Sequence, residues 1–368
     1  MASRSDPVGA WPRIDHNASS AVLALWEDDL SSSSLVDSFG RVHRSVRISV
    51  TDRCNIRCFY CMPESDVAFA PRHELLSFEE LTRLVRLLSE QGVHDVRVTG
   101  GEPLVRRDVD RLVAMLAALP SVRDLAMTTN GILLPQYAQR LRDAGLQRLN
   151  ISLDTLDEQT FRRITRRAGV QRVLDGIDAA LNAGFEQIRL NALAIRDLTE
   201  PELESLVEFA AARSLTLRFI EYMPLDAARR WSADQVLGGD EILTRISARF
   251  GRLEPLEPPQ PSQPARDYAL LDLPPDAAGQ HPRIGVIRPV TAPFCGACDR
   301  LRITAEGMIR NCLFSSEEWD LRALLRSGAG DVEIVERIAA AVAAKRAGHL
   351  ISDAGFSPPE RAMYRIGG

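Results

Sequence analysis

Six cysteines carry the first chemical signal, and they fall into two triplets. Cys54, Cys58 and Cys61 are spaced C-x3-C-x2-C, and Cys295, Cys298 and Cys312 are spaced C-x2-C-x13-C. Three thiolates on one compact loop can hold three irons of a [4Fe–4S] cube, one cysteine per iron, leaving the fourth iron open to another ligand. The alternative is zinc, which takes four ligands in structural sites. His43 or His73 could then complete the first set and His281 the second. Clustering at this spacing points to metal rather than to a disulfide framework. Directly after Cys298, Arg300 and Arg302 alternate along an expected strand, so their guanidinium groups share one face. Two such groups on one face suit a polyphosphate. On its own the pair could equally be a solvated strand face.

The elements that must position these groups alternate strand and helix. Strands are expected at 46–50, 93–98, 125–129, 149–153, 188–195 and 215–222. Helices are expected at 78–88, 109–119, 137–144, 173–183 and 203–212, with Gly145 and Gly184 as stops. Six such β/α units between about 45 and 250 imply a parallel sheet with crossover helices. The fold class expected is α/β, a partial (β/α)6 TIM-like barrel with a small C-terminal β-containing cluster-binding region. In that architecture ligands bind at the C-terminal strand ends. The first cysteine loop, Gly100-Gly101-Glu102-Pro103, Thr128-Thr129-Asn130-Gly131 and Ser152–Asp154 all fall there. Residues 1–40 read as a flexible N-terminal extension, 41–252 as the barrel, and 253–368 as the region of the second triplet. Prolines crowd 253–282 and mark an irregular linker. Short strands around 284–287 and 301–304 and an amphipathic helix at 332–344 follow it.

Composition bounds the rest. A net charge of −5 disfavours a general nucleic-acid binder. No apolar run approaches membrane-spanning length, and a cytoplasmic location is expected. Lys345 is the only lysine among 45 basic residues. So complete a bias toward arginine lowers the information carried by any single arginine.

The first triplet, with Tyr60 before its third cysteine and Gly-Gly-Glu-Pro at the next strand end, resembles the radical S-adenosylmethionine (SAM) superfamily. Further motifs narrow the resemblance to its GTP 3′,8-cyclase family of molybdenum cofactor biosynthesis. These are Ser-Val-Arg47-Ile-Ser-Val-Thr-Asp-Arg-Cys54, Val-Arg97-Val-Thr-Gly-Gly-Glu-Pro, Phe-Cys295-Gly-Ala-Cys298-Asp-Arg300-Leu-Arg302, Asn-Cys312-Leu-Phe and Gly367-Gly368. The resemblance covers about residues 41–368.

It implies two [4Fe–4S] clusters held by the two triplets. Tyr60, Gly101, Ser152 and Met223 would contact SAM, and Arg47, Arg97, Thr128, Arg189, Arg300 and Arg302 would contact GTP. A deoxyadenosyl radical would take hydrogen from C3′ of GTP, and C3′ would then join C8 of guanine. The second cluster would bind the guanine, and the terminal glycines would reach the site. No side chain is assigned as a catalytic acid or base. The expected partners are GTP, an external electron donor and a second copy of the chain, with neither nucleic acid nor membrane. Two positions depart from the family pattern. Arg189 stands where Lys is usual, and Asp95, which could face solvent, stands where a basic residue is common.

Overall fold

The computed structural model describes residues 34–65, 67–351, 353 and 356–367. Residues 1–33 of the expected extension lie outside the described residues, as does Gly368. Residues 34–40, assigned by patterning to that extension, are built into the fold. Leu35 is buried, Val36 bridges Val42, and the Asp37 carboxylate accepts from Arg41 at 2.6 Å and pairs with His43 at 3.1 Å.

Six strands follow in chain order: β1 Ser45–Ser49, β2 Asp95–Thr99, β3 Asp124–Thr129, β4 Arg148–Ser152, β5 Gln187–Ala194 and β6 Thr216–Glu221. The crossovers contain α1 Phe78–Glu90, α2 Val109–Ala117, α3 Leu134–Asp143, α4 Glu158–Thr165, α5 Val170–Asn182 and α6 Leu203–Ala211, and α7 Gly239–Phe250 follows β6. Local chemistry explains the boundaries. The Ser77 hydroxyl caps α1 by accepting from Glu80 N–H, while the Glu80 carboxylate returns to Ser77 N–H. Leu81, Leu84, Val85 and Leu88 recur at helical spacing and are all buried. Gly145 and Gly184 hold the left-handed φ of 95° and 79° that ends α3 and α5.

All neighbouring pairs among β1–β6 are parallel. Each strand turns its apolar residues outward under the helices, as Val46 and Ile48 do in β1, both fully buried. The alternate residues face inward, and on β1 these are Ser45, Arg47 and Ser49. Truncating Ile48 to Ala would cost about 2–5 kcal/mol of packing.

The region after residue 253 departs from the expected linker. It contains β7 Leu253–Pro255 and β8 Ala265–Leu270, an antiparallel pair. Pro255 closes an edge strand, where a missing N–H costs little. Pro258, Pro259, Pro261 and Pro264 sit in the connection between the two strands. β9 Arg283–Ile287 then pairs parallel with β6, and β10 Arg300–Ile303 pairs parallel with β1. β11 Met308–Arg310 and β12 Trp319–Asp320 add an antiparallel edge. The strand order is β12-β11-β10-β1-β2-β3-β4-β5-β6-β9-β8-β7. The last third of the chain thus extends the six-stranded sheet at both ends, and the sheet is not closed. α8 Arg322–Ser327, α9 Asp331–Ala343 and α10 Met363–Ile366 complete the described elements.

Candidate active site

The inward face of the sheet lines a cavity of about 770 Å³. At its C-terminal strand end lies the loop after β1, with Cys54, Cys58 and Cys61 on the wall. Gly100 and Gly101 explain how that loop is held. Their φ angles are not left-handed, so turn chemistry is not the reason for glycine here. A Cβ on Gly100 would lie 2.6 Å from the Thr51 carbonyl oxygen, and one on Gly101 2.5 Å from that of Arg53. These backbone groups cannot yield, so only glycine allows the two segments to touch. Gly101 N–H donates to Thr51 at 2.7 Å and Glu102 N–H to Arg53 at 2.8 Å. The buried Glu102 carboxylate accepts from Thr129 Oγ1 and Asn130 N–H, both at 2.7 Å. It therefore ties the end of β3 to the end of β2. Burial pushes its carboxyl up to about 7.

Tyr60, Gly101, Ser152 and Met223 all line this cavity. The Tyr60 hydroxyl donates to Asp154 at 2.7 Å, and the other Asp154 oxygen accepts from Leu193 N–H at 2.8 Å. Burial pushes the Cys54 thiol up to about 11 and those of Cys58 and Cys61 further. None of the three is in a disulfide. A strong local cation, such as an iron–sulfur centre would supply, favours the thiolate over the thiol at such positions.

Toward the other strand end the wall is cationic. Register places Arg302, Arg47 and Arg97 opposite one another on β10, β1 and β2. Arg300 lies one inward position lower, and Thr128 and Arg189 flank Asn150 on β3 and β5. All six expected GTP contacts line the one cavity. Two further inward arginines, Arg148 and Arg218, are paired with Asp124 and with Asp267, the latter at 2.8 Å. Among the described residues Arg47, Arg97, Arg189, Arg300 and Arg302 form no ion pair. Burial, then Arg302 and Arg300, hold the Arg47 guanidinium far below its usual range. Arg97 is depressed by burial and by Arg47. The Nε atoms of Arg97 and Arg300 are buried without a partner. The positive charge of these five arginines is neutralised by no direct ion pair, although carboxylates such as Asp299 also line the cavity. Asp95 also lines the cavity and pairs with His94 at 2.8 Å, so it does not simply face solvent.

The second triplet lies beside this cationic end. Cys295 opens the short 295–297 turn, and Cys298 lies two residues before the start of β10. Arg300 Nη2 lies 3.6 Å from Cys298 Sγ. Burial raises the Cys298 thiol, but Arg300 and Lys345 outweigh it and bring it down to about 7. Gly367 sits at the C-terminal ends of β1 and β2, against Ser49 and Thr99, and its carbonyl accepts from Arg302.

With the geometry in view, comparison with known proteins decides the family. The Radical SAM superfamily pattern matches residues 48–210, and Molybdenum Cofactor Synthesis C matches 215–351. The GTP 3′,8-cyclase of Rhodopirellula baltica is 56% identical over 91% of this chain and 92% of its own length. That of Mycolicibacterium smegmatis is 45% identical, covering 91% of this chain and 92% of its own. The chain belongs to the GTP 3′,8-cyclase family.

Among solved structures, Streptococcus suis SuiB bound to S-adenosylmethionine aligns with a TM-score of 0.55 at 14% identity. That alignment covers 77% of this chain and 66% of SuiB. The likeness is one of fold, the partial TIM barrel of radical SAM proteins. Family membership overturns the zinc-module alternative, and the histidines agree. His43 is engaged by Asp37, and the His281 ring nitrogen Nδ1 lies 3.0 Å from the Leu273 carbonyl oxygen. His73 sits in the surface turn 72–74, its carbonyl held by Arg326.

Sequence reasoning missed several residues that position this family's site. Glu102 stands inside the Gly-Gly-Glu-Pro motif, but nothing in the sequence ties its carboxylate to the end of β3, and Asp154 carries no motif beyond its strand-end placement. Arg41 donates to the carbonyls of Cys295 at 2.8 Å and Arg346 at 2.7 Å. Gln260, Ser262 and Gln263, from the connection between β7 and β8, also line the cavity. Only three-dimensional proximity identifies them.

Proposed function

We propose that this chain cyclises GTP to (8S)-3′,8-cyclo-7,8-dihydroguanosine 5′-triphosphate, a radical SAM lyase reaction that opens molybdenum cofactor biosynthesis. The observation that carries the reading is the set of arginines without ion-pair partners, Arg302 buried and the other four half-buried, facing the same cavity as the first cysteine loop. A triphosphate supplies the missing negative charge. Each charge-assisted contact with Arg47, Arg97, Arg300 or Arg302 is worth roughly 1.5–3 kcal/mol. Thr128 and Arg189 contact the nucleotide from the opposite wall.

Cys54, Cys58 and Cys61 would hold one [4Fe–4S] cluster, and Cys295, Cys298 and Cys312 a second. When bound, the first cluster and SAM supply the one-electron chemistry that yields a hydrogen-abstracting carbon radical. The protein's own part is orientation and exclusion of water. Gly100 and Gly101 let the cysteine loop close onto β2. Tyr60, fixed by Asp154, shapes the SAM side together with Ser152 and Met223. Arg300 and Arg302 fix the phosphate end beside the second triplet, where that cluster would take the guanine. An external electron donor and a homodimeric assembly belong to the same reading.

The test is anaerobic turnover of the reconstituted protein with SAM, GTP and dithionite. Expected are about eight irons per chain, 5′-deoxyadenosine, and a cyclised nucleotide formed from GTP but not from guanosine. SAM cleavage with no change in the nucleotide would overturn the assignment. A zinc content replacing iron would do the same.

A further inference from the structure

The chain has 45 basic residues and a single lysine, Lys345. Where arginine serves nearly everywhere, the exception marks a place that arginine does not fit. Lys345 follows the C-terminus of α9 and is 96% buried, its relative exposure being 4%. Its ammonium group donates to the Cys298 carbonyl at 3.0 Å and to the Arg300 carbonyl at 3.1 Å, and it lies 3.6 Å from Cys298 Sγ. Three acceptors around one point match the three donors of a compact ammonium. A planar guanidinium is wider and presents its donors as a fork, which cannot converge on that point. No carboxylate pairs with Lys345 among the described residues.

We infer that Lys345 is a positioning residue for the second cysteine site. It sets the charge felt by the cluster that Cys298 would hold, and it fixes Cys298 and Arg300 relative to each other. The first role follows from a fixed positive charge beside a thiolate ligand, which favours the more reduced, more negative cluster. The second follows from the two carbonyl bonds. Arg300 turns its guanidinium to the cavity while its carbonyl is held by Lys345. The cluster ligand and the phosphate-binding arginine are thereby gripped by the same ammonium group. Arg41 holds the other side of the turn through the Cys295 carbonyl at 2.8 Å, and its remaining side-chain bonds go to Asp37, Arg346 and Ala347. This inference rests on the second triplet holding a cluster, as proposed above.

The experiment compares the iron-loaded wild-type protein with Lys345→Met and Lys345→Arg. Iron per chain, the reduction midpoint of the second cluster by anaerobic spectroscopic titration, and GTP and SAM dissociation constants are read for each. Lys345→Met is expected to keep the first cluster and unchanged SAM affinity. Its second cluster should titrate at a more negative midpoint or be lost, about four irons per chain, and GTP binding should weaken at least fivefold. Lys345→Arg keeps the charge and should hold the midpoint near the wild-type value, while still weakening GTP binding several-fold because Arg300 shifts. A Met variant with wild-type midpoint, iron and GTP affinity overturns the inference and leaves the cluster assignment intact. Should the Met variant not fold, wild-type GTP affinity in the Arg variant overturns it. A wild-type protein holding only about four irons overturns the cluster assignment and the inference together.

Discussion

The arginines without ion-pair partners imply that the site is held against its own electrostatics, and Arg302→Met measures this directly. Arg302 is 6% exposed. Burial, followed by repulsion from Arg300, brings its guanidinium down to about 9, well below the usual range of arginine. A base whose folded pKa is depressed is disfavoured in its charged form by the fold. That cost is present in full at every pH below about 9 and is relieved only as pH rises above it. A drop of this size corresponds to roughly 5 kcal/mol near neutrality. Methionine keeps the length and removes the charge, but it also loses the charge-assisted bond to the Gly367 carbonyl, worth about 1.5–3 kcal/mol. The GTP-free variant should therefore be more stable than wild type by about 2–3.5 kcal/mol. GTP at a hundred times its dissociation constant should stabilise the wild type by about 2.7 kcal/mol, and the variant by much less. Anaerobic urea unfolding with and without GTP reads both quantities. A variant less stable than wild type without nucleotide, or stabilised equally by GTP, would refute the reasoning.

Gly101→Ala places a methyl group against the Arg53 carbonyl oxygen at 2.5 Å. It should cost about 1–3 kcal/mol in overpacking and weaken SAM binding at least tenfold, and unchanged SAM affinity by calorimetry would count against the close-approach argument. Cys58→Ala should remove about half the iron and abolish SAM cleavage, whereas Cys298→Ala should remove the other half and leave uncoupled cleavage. Full iron in the latter would remove Cys298 from the ligand set. Burial and then Lys345 hold His43 at about 4 against 6.5, so stability is complete above pH 6.5 and falls by about 3 kcal/mol as pH drops toward 4. His43→Gln should flatten that dependence in urea midpoints taken across the window. Deleting Gly367 and Gly368 should leave iron content near wild type and lower the yield of cyclised product per SAM cleaved, with undiminished yield showing that the tail is dispensable.

What the sequence made legible was local or periodic. The cysteine spacings, the alternation of Arg300 with Arg302, and the six strand–helix units are written within short windows. Distinguishing an arginine that awaits an anion from one already paired was not possible, because Asp124 and Asp267 meet Arg148 and Arg218 across strands. Lys345 stood out in composition, yet only the fold brings it to Cys298. Proline density hid β7, which is three residues long, and β8, which follows the prolines directly at the sheet edge. The motif marks Gly100 and Gly101, but the reason they must be glycine lies in the backbone of residues 51–53, which the sequence does not show beside them.

The sheet's strand order sets a schedule for folding. β1 is the first strand of the barrel to be synthesised, and β2 can cover one side of it soon afterwards. Its other side waits for β10, with Val46 meeting Leu301 and Arg47 meeting Arg302. Until then β1 presents an unpaired parallel edge, a template for pairing with other chains. Contacts so distant in sequence form slowly, and on the ribosome they cannot form until most of the chain has emerged. The cysteine loop hangs from that same exposed strand. Expression at lower temperature, or slowed initiation that reduces the concentration of half-made chains, should raise the soluble yield more than added iron does.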